Sequence, residues 1–308
     1  MLRQILVPLD GSDLAQWALP FAARLARAVE GRLILLRVIV FEVEGEQEVS
    51  VQQAAEADLA RLADRLREQG SQVDSVVEYV TYSTEVADRI RSVARDRAAD
   101  QIVISTHGRG GLGRWLYGSV ADAVLRESEL PVLLISAACD QTWPDDRRLR
   151  FLVPLDGSML SEQVLGPATE LADAIQADLL LLQVAAFPVY PAYPEAALYL
   201  PLDPELEVEE AKKYLEGVAA GLRSPGRVVD IHAELGNAPS KIVNVARERQ
   251  IDLIAMATHG RGGIARFALG SVATGVVQQA RVPTLLVRAG EVDSRSAEAG
   301  PQSEPTTP

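Results

Sequence analysis

Residues 104–120 read ISTHGRGGLGRWLYGSV, and the stretch returns at 256–272 as MATHGRGGIARFALGSV. Each copy follows a short apolar run and precedes a helix-like segment, so the glycines lie where a buried strand ends and a helix begins. In open α/β sheets this is where ligands bind. The Gly-Ser pairs at 118–119 and 270–271 are expected to open the following helices, whose free N–H groups and positive dipole end suit an anion such as phosphate.

The composition narrows the classes of partner. A chain of 308 residues predicts two domains. A net charge of −13 argues against nucleic acid or an anionic membrane as the main partner, because both attract clustered Lys and Arg. Cys139 is the only cysteine, so neither an intrachain disulfide nor a thiolate zinc cluster can form within one chain. The first apolar run is too short for a signal peptide, and the LLLL run at 179–182 is too short to span a bilayer. We therefore expect a cytoplasmic protein.

Apolar runs alternate with amphipathic segments through the first half of the chain. The pattern predicts strands at 4–10, 33–40, 73–80, 101–104 and 131–135, and helices at 14–29, 50–68, 84–99 and after 118. Gly31 and Gly70 are predicted to end the first two helices. The order βαβαβαβαβ predicts a mostly parallel sheet with helices on both faces.

The same pattern restarts halfway along the chain. LVPLDGS at 152–158 repeats 6–12, and ADLLLLQV at 177–184 repeats GRLILLRV at 31–38. Helices are predicted at 204–222 and 238–249 and a strand at 228–235, after an irregular proline-rich loop at 187–204. This is a tandem duplication of one unit, not an array of short repeats.

The repeats define the domain limits. We expect domains at 1–138 and 149–289, with a linker at 139–148. The end of the chain, 290–308, is polar, rich in Ser, Pro and Glu and without periodicity, and is expected to be disordered.

Two familiar phosphate-binding motifs do not describe the glycine loop. It contains no GK[ST], so it is not a Walker P-loop. The loop formally matches the dinucleotide fingerprint at 108–113 and 260–265. That fingerprint should follow the first strand of a unit and precede a strand that ends in an acidic residue. Here it follows the fourth strand and the next strand has no such residue, so the fingerprint is rejected.

The full set of motifs resembles the universal stress protein family in its tandem form. The residues that carry the resemblance are VPLDGS at 7–12 and 153–158, the strands ending at Val38 and Val184, and a glycine followed after nine residues by Gly-Ser. The resemblance covers both halves. It implies an α/β fold of two tandem adenine-nucleotide α-hydrolase-like domains, each with five parallel strands in the order 3-2-1-4-5.

The resemblance also implies a nucleotide site in each half. The residues of the first site are Pro8, Leu9, Asp10, Val38, Ser105, Gly108, Arg109, Gly118, Ser119 and Val120, and those of the second are Pro154, Leu155, Asp156, Val184, Ala257, Gly260, Arg261, Gly270, Ser271 and Val272. The aspartates would face the nucleoside, the valines at 38 and 184 would meet the adenine edge through their backbone, and the loop and helix start would hold ribose and phosphates. The implied cofactor is ATP, with Mg²⁺ reached through its phosphates and not through protein side chains.

Several of these residues have a second interpretation. Asp-Gly-Ser is also turn and cap chemistry, so Asp10 and Asp156 stay open between a turn and a nucleotide contact. His107 and His259 are expected to orient the loop through hydrogen bonds, and Trp115 and Phe267 to pack. The loop arginines are expected to supply at least one phosphate contact per loop; they are Arg109, Arg114, Arg261 and Arg266. Ser105 and Ala257 replace the first glycine of the family motif, which predicts weaker binding.

Two functional hypotheses follow from the sequence. The first is an ATP-binding stress-response or regulatory protein with at most slow hydrolysis, because the loop has no obvious general base and no acidic metal cluster. The alternative is a nucleotide-free interaction protein on the same fold. In either case we expect the halves to pair through their last strands, 132–136 and 284–288, as an intramolecular pseudo-dimer. A further homodimer stays open.

Overall fold

The computed structural model describes residues 2–41, 47–106, 118–185, 204–258 and 269–289. Its strands are β1 Gln4–Pro8, β2 Arg32–Val40, β3 Gln72–Val80, β4 Gln101–Ser105, β5 Val132–Ile135, β6 Arg150–Pro154, β7 Asp178–Ala185, β8 Val229–Leu235, β9 Leu253–Ala257 and β10 Thr284–Val287. Its α-helices are α1 Asp13–Gln16, α2 Leu19–Ala28, α3 Gln47–Glu68, α4 Val86–Asp96, α5 Ser119–Glu127, α6 Met159–Glu162, α7 Leu165–Ile175, α8 Pro204–Leu222, α9 Ala238–Glu248 and α10 Ser271–Gln279.

All the described strands belong to one sheet, in the order β3-β2-β1-β4-β5-β10-β9-β6-β7-β8. Within each half the strands are parallel and follow the order 3-2-1-4-5, as predicted. The halves join through β5 and β10, which are antiparallel and place Leu285 opposite Leu133. The expected pairing through the last strands is therefore confirmed. It removes two apolar edge strands from solvent.

The antiparallel join determines at which edge of the sheet each half has the carboxyl ends of its strands. Since β5 and β10 run in opposite directions, the carboxyl ends of the strands in one half lie at the same edge of the sheet as the amino ends in the other. The chain can therefore pass from the end of β5 to the start of β6 without crossing the sheet. It also follows that the carboxyl ends of β1 and β6, where each VPLDGS motif lies, are at opposite edges.

The core is a layer on each face of the sheet. Leu35 and Phe151 lie on the face covered by α2, α3, α7 and α8. Their chain neighbours Ile34 and Leu152 lie on the face covered by α4, α5, α9 and α10. Successive side chains of a strand point to opposite faces, so strands buried on both faces read as the continuous apolar runs seen in the sequence.

The prediction of one helix at 14–29 is wrong. The structure has the short α1, which ends at Gln16, and a separate α2, which begins at Leu19. Pro20 has no N–H to donate to the carbonyl of Gln16, so the ladder of helical hydrogen bonds is interrupted there. The helix predicted at 84–99 is also shorter, because it begins with a 3₁₀ turn at Ser83–Glu85 and α4 ends at Asp96.

Gly31 does not end α2 in the way predicted. The left-handed residue is Glu30, with φ of 50°, and the Gly31 N–H donates to the carbonyl of Ala26 at 2.8 Å. Gly31 is needed for another reason, since a Cβ there would lie 2.5 Å from the carbonyl oxygen of Arg3. Gly70 follows α3 with φ of 85°, as predicted.

Several predictions fall outside the described residues. These are most of the two glycine loops (107–117 and 259–268), most of the proline-rich loop at 187–204, and the tail from 290. Among the residues that the structure does describe, no helix is both long and apolar enough to cross a membrane.

Candidate functional site

The end of β1 is a tight turn built around Asp10. Its Oδ1 accepts hydrogen bonds from the N–H and the hydroxyl of Ser12, at 2.9 and 2.6 Å. The Ser12 Oγ in turn accepts from the Ala15 N–H at 3.1 Å and caps α1. Gly11, between them, has φ of 86°. The turn-and-cap interpretation of Asp10 is confirmed, and its contact with a nucleoside stays a prediction.

The second half repeats this turn at the end of β6. Asp156 Oδ1 accepts from the N–H and hydroxyl of Ser158, at 3.0 and 2.6 Å, and Ser158 Oγ accepts from the Ser161 N–H at 3.1 Å. Asp10 and Asp156 are both half-buried. Each aspartate therefore holds the start of a short helix at the carboxyl edge of its own half.

The backbone of Val38 faces the open end of β1. The carbonyl of Leu36 accepts from the Leu9 N–H at 2.8 Å, and Leu36 lies in register with Pro8, the last residue of β1. In a parallel ladder the backbone groups of alternate residues point to the same neighbouring strand. Val38 therefore directs its N–H and C=O past the end of β1. The second half has the same arrangement, with Leu155, Leu182 and Val184.

The backbone N–H groups of Leu9 and Leu155 belong to the sheet, and the contact of these residues with a nucleotide stays a prediction. Their N–H groups are already bonded to the next strand, and Pro8 and Pro154 have no N–H. Neither pair can offer a backbone donor to a ligand. They instead fix the position from which each aspartate turn begins.

A buried threonine anchors the glycine loop of the first half. Thr106, 2% exposed, directly follows β4, and its carbonyl accepts from the Gly118 N–H at 2.6 Å. The Thr106 N–H donates to the carbonyl of Ile135 at 3.0 Å, and its Oγ1 accepts from the Ala137 N–H at 3.1 Å. The two ends of the loop are thus clamped together at the carboxyl edge of the sheet.

Thr258 makes the same clamp in the second half. Its N–H donates to Val287 at 2.9 Å, and its carbonyl accepts from Gly270 at 2.8 Å. Sequence reasoning missed both threonines. The available signal was that the loop begins with Thr-His-Gly at the same place in both copies.

The clamp corrects one expectation about the helix starts. The N–H groups of Gly118 and Gly270 are used by the threonines, so they are not available to an anion. Both glycines are N-caps without a side-chain cap, with φ near −58° and −57°. Ser119 and Ser271 follow as the first helical residues, and the N–H groups there have no intrahelical acceptor. The donors expected to face an anion are therefore those of the serines and of Val120 and Val272.

Ser105 and Ala257, which replace the motif's first glycine, end β4 and β9. Ser105 is half-buried, and Ala257 is 6% exposed. The methyl group of Ala257 thus offers little surface to a ligand.

An ion pair lies beside the valine of each half. Glu78 is in register with Val38, and its Oε2 lies 3.6 Å from Nη1 of Arg89 in α4. In the second half Glu234 is in register with Val184, and its Oε2 accepts from Lys241 of α9 at 2.8 Å. The other oxygen of Glu234, Oε1, is buried and accepts no hydrogen bond from any residue in the described ranges.

The predicted site residues thus meet at one edge of each half. Asp10 follows β1, Val38 lies near the carboxyl end of β2, and Ser119 follows β4 and the glycine loop; the three strands are neighbours in the sheet. The point between β1 and β4, where the strand order reverses, is the usual ligand crevice of a doubly wound sheet. The loop residues Gly108, Arg109, Gly260 and Arg261, with His107, His259 and the other loop arginines, lie outside the described residues.

This fold and its two crevices define a doubly wound α/β protein with one candidate ligand site per half. The model of the universal stress protein family matches residues 1–136 and 148–288. The chain belongs to the universal stress protein family, and with it to the stress-response proteins.

Individual relatives match most of the chain. A universal stress protein of Mycolicibacterium smegmatis is 28% identical over 295 residues, covering 92% of this chain and 96% of that protein. One from Mycobacterium tuberculosis is 31% identical over 216 residues, covering 70% and 69%. The crystal structure of a universal stress protein from Archaeoglobus fulgidus has a TM-score of 0.67 at 19% identity and covers 93% of this chain and 98% of that one. This structural likeness shows the fold.

Proposed function

We propose that each half of this protein binds ATP at the carboxyl edge of its sheet, and that the protein acts as a nucleotide-dependent regulator in stress response. The observation that carries the proposal is the clamped helix start. In both halves the threonine carbonyl takes the glycine N–H and leaves the next two N–H groups at the N-terminus of a nine-residue helix. Such a helix end suits a phosphate group.

The proposed base position rests on Val38 and Val184. A backbone N–H and C=O that point past the end of β1 or β6 present one donor and one acceptor, which is the pattern that the edge of adenine complements.

The proposed role in catalysis is small. Among the described residues no group of three or more His, Cys, Asp or Glu side chains is placed to hold a metal ion. Any Mg²⁺ would be held through the phosphates, where it would neutralise their charge. The Oδ1 atoms of Asp10 and Asp156 accept the hydrogen bonds of the serine caps.

The proposal is tested first on the purified protein. Acid extraction followed by nucleotide analysis should release adenine nucleotide, and titration should show two ATP sites. At an ATP concentration about 100 times the dissociation constant, each site should stabilise the fold by roughly 2.7 kcal/mol. Because the anion contributes most of the affinity, adenosine should stabilise much less.

Two outcomes would contradict the proposal. If neither extraction nor titration detects adenine nucleotide, the protein is better described as a nucleotide-free interaction protein. If adenosine stabilises as much as ATP, the affinity lies in the base position and the helix start is not a phosphate site.

A further inference from the structure

A second cavity lies away from both crevices. It has a volume of about 430 Å³ and lies between α2, the C-terminal end of α3 and the linker around Trp143. This volume falls within the range of small-molecule sites. Its described lining comes from α1, α2, α3 and the linker, so the inference below does not rest on the nucleotide proposal.

The apolar part of this cavity is fixed in place. Phe21 and Trp143 meet edge to face, with ring centroids 5.1 Å apart and planes at 86°. Trp143 is 7% exposed, and its indole N–H donates to the carbonyl of Asp252 at 2.9 Å. The two rings, 5% and 7% exposed, form a rigid aromatic wall of which only the ring edges reach the cavity, and the exposed Pro20 beside them completes the apolar lining.

One arginine of the cavity belongs to its framework. Arg24 donates to the carbonyls of Trp143 and Pro144, both at 2.9 Å, and forms an ion pair with Asp145 at 3.0 Å. Its guanidinium also lies 5.9 Å from the centre of the Trp143 ring. These contacts hold the linker against α2, and the ion pair with Asp145 neutralises the charge of Arg24.

Two further arginines have no such partner. Arg27 and Arg65, in the last turns of α2 and α3, both line the cavity. Arg27 reaches only the hydroxyl of Ser71, at 3.5 Å, and neither arginine forms an ion pair with a residue in the described part of the chain. Two unneutralised cations beside an aromatic wall are an arrangement that an anion with an apolar body would complement.

The corresponding positions of the second half carry the opposite charge. Counting from the repeated VPLDGS motif, Arg24 and Arg27 correspond to Glu170 and Asp173 of α7. Asp173 is paired with Arg227, and Glu170 accepts from the N–H of Leu2 at 2.7 Å. The cationic cavity is thus a property of the first half and not a by-product of the repeated fold.

We propose that this cavity binds a small anionic amphiphile, with its apolar body against Phe21 and Trp143 and its carboxylate or sulfonate between Arg27 and Arg65. Arg27 and Arg65 determine the preference for an anion, and the aromatic wall supplies apolar contact.

The test uses the full chain and the fluorescent probe 8-anilinonaphthalene-1-sulfonate. The wild-type protein should show saturable binding, and octanoate should compete while octylammonium should not. The double variant Arg27→Asp with Arg65→Gly should weaken the affinity for the probe at least tenfold. A matched control is Arg95→Asp with Arg97→Gly, which makes the same change of charge at the exposed end of α4 and should leave the affinity unchanged.

Circular dichroism and the melting temperature establish that both double variants are folded. Absence of saturable binding to the wild type would overturn the proposal. So would equal affinity in the two double variants, or competition by octylammonium as strong as that by octanoate.

Discussion

Arg147 and Asp252 form a two-pronged ion pair that fastens the linker to the second half. The guanidinium Nη1 and Nη2 donate to Oδ2 and Oδ1 at 2.7 and 2.8 Å. Oδ2 also accepts from the Arg150 N–H at 2.8 Å. The Asp252 side chain is 3% exposed and directly precedes β9. A buried carboxylate is stabilised by its hydrogen-bond donors. The pair therefore holds the linker and Arg150, the first residue of β6, beside the start of β9.

Removing either partner should destabilise the protein by different amounts. Asp252→Ala should cost about 1–2 kcal/mol, because the Arg147 guanidinium and the Arg150 N–H lose their acceptor, but the guanidinium is 41% exposed and water can replace the carboxylate there. Arg147→Leu should cost more, about 3 kcal/mol, since it leaves the Asp252 carboxylate, 3% exposed, without its charged partner and with the Arg150 N–H as its remaining donor. Denaturant unfolding followed by circular dichroism measures both.

The neighbouring Arg148 provides the control. It forms an ion pair with Asp178 at 3.0 Å, and both side chains are partly exposed. Arg148→Leu should therefore cost under about 1 kcal/mol. Equal losses of unfolding free energy for Arg147→Leu and Arg148→Leu would show that the pair with Asp252 stabilises the fold no more than a partly exposed pair does.

The contribution of Arg147 should not vary across the neutral pH range. The hydrogen bonds that the Arg147 guanidinium donates to Asp252 raise the pKa of the guanidinium above its ordinary value. A raised pKa of a cation stabilises the fold fully below the pKa of the unfolded chain, and the effect is lost only as pH rises through the still higher folded value. The difference in unfolding free energy between wild type and Arg147→Leu should thus be the same at pH 7 and pH 9.

Non-glycine residues in left-handed helix caps offer a stabilising change. Ala98, two residues beyond the end of α4, has φ of 48°, and the cap is closed by the N–H of Ala99, which donates to the carbonyl of Ala94 at 2.8 Å. Ala98→Gly should raise the free energy of unfolding by about 1 kcal/mol, because it relieves the strain of a Cβ in this conformation. Thermal unfolding measures the gain.

The reciprocal change tests the same explanation. Gly70 ends α3 with φ of 85°, and a Cβ there would meet no atom within 4 Å. Gly70→Ala should therefore destabilise through backbone strain alone, by about 1 kcal/mol. If Ala98→Gly destabilises or Gly70→Ala is neutral, left-handed strain does not control these caps.

The edge strand β5 should still seek a partner strand when the second half is removed. In the full chain Leu133 and Leu285 face each other across β5 and β10 and are almost fully buried. Residues 1–140 alone would expose β5 as an apolar edge. We expect this fragment to dimerise or aggregate in analytical ultracentrifugation. A fragment that stays a soluble monomer at high concentration would contradict this.

The strands could be predicted because a buried strand has a recognisable local pattern of apolar residues. A strand covered on both faces is apolar at every position, as at Leu33 to Leu36, and needs no knowledge of its partners. The order of the strands and the position of the crevices came from the resemblance carried by VPLDGS and the glycine loops.

The features that were missed depend on contacts distant in sequence or on backbone detail. The clamp between Thr106 and Gly118 joins the two ends of a loop, and the pair of Arg147 with Asp252 spans 105 residues. The left-handed cap at Glu30 was missed because the next residue is Gly31, and glycine is the residue expected in a left-handed cap. The break in the first helix was visible in the sequence, since Pro20 lies inside the predicted span.

The central claim is that backbone N–H groups at the two helix starts hold the phosphates of ATP. Gly118 is a poor place to test it, since a Cβ there would lie 3.1 Å from the Thr106 carbonyl. Ser119 and Ser271 are better, because proline is favoured at the first helical position. The preceding glycines have ψ of 144° and 153°, the extended backbone that a following proline prefers.

The most direct measurement is calorimetric titration of ATP into two double variants. Ser119→Pro with Ser271→Pro removes one backbone N–H and one hydroxyl at each site, whereas Ser119→Ala with Ser271→Ala removes only the hydroxyls. We predict that the proline variant stays folded and loses at least about tenfold in ATP affinity, as expected for a charge-assisted hydrogen bond, while the alanine variant loses less. A folded proline variant that binds ATP with wild-type affinity would contradict the account.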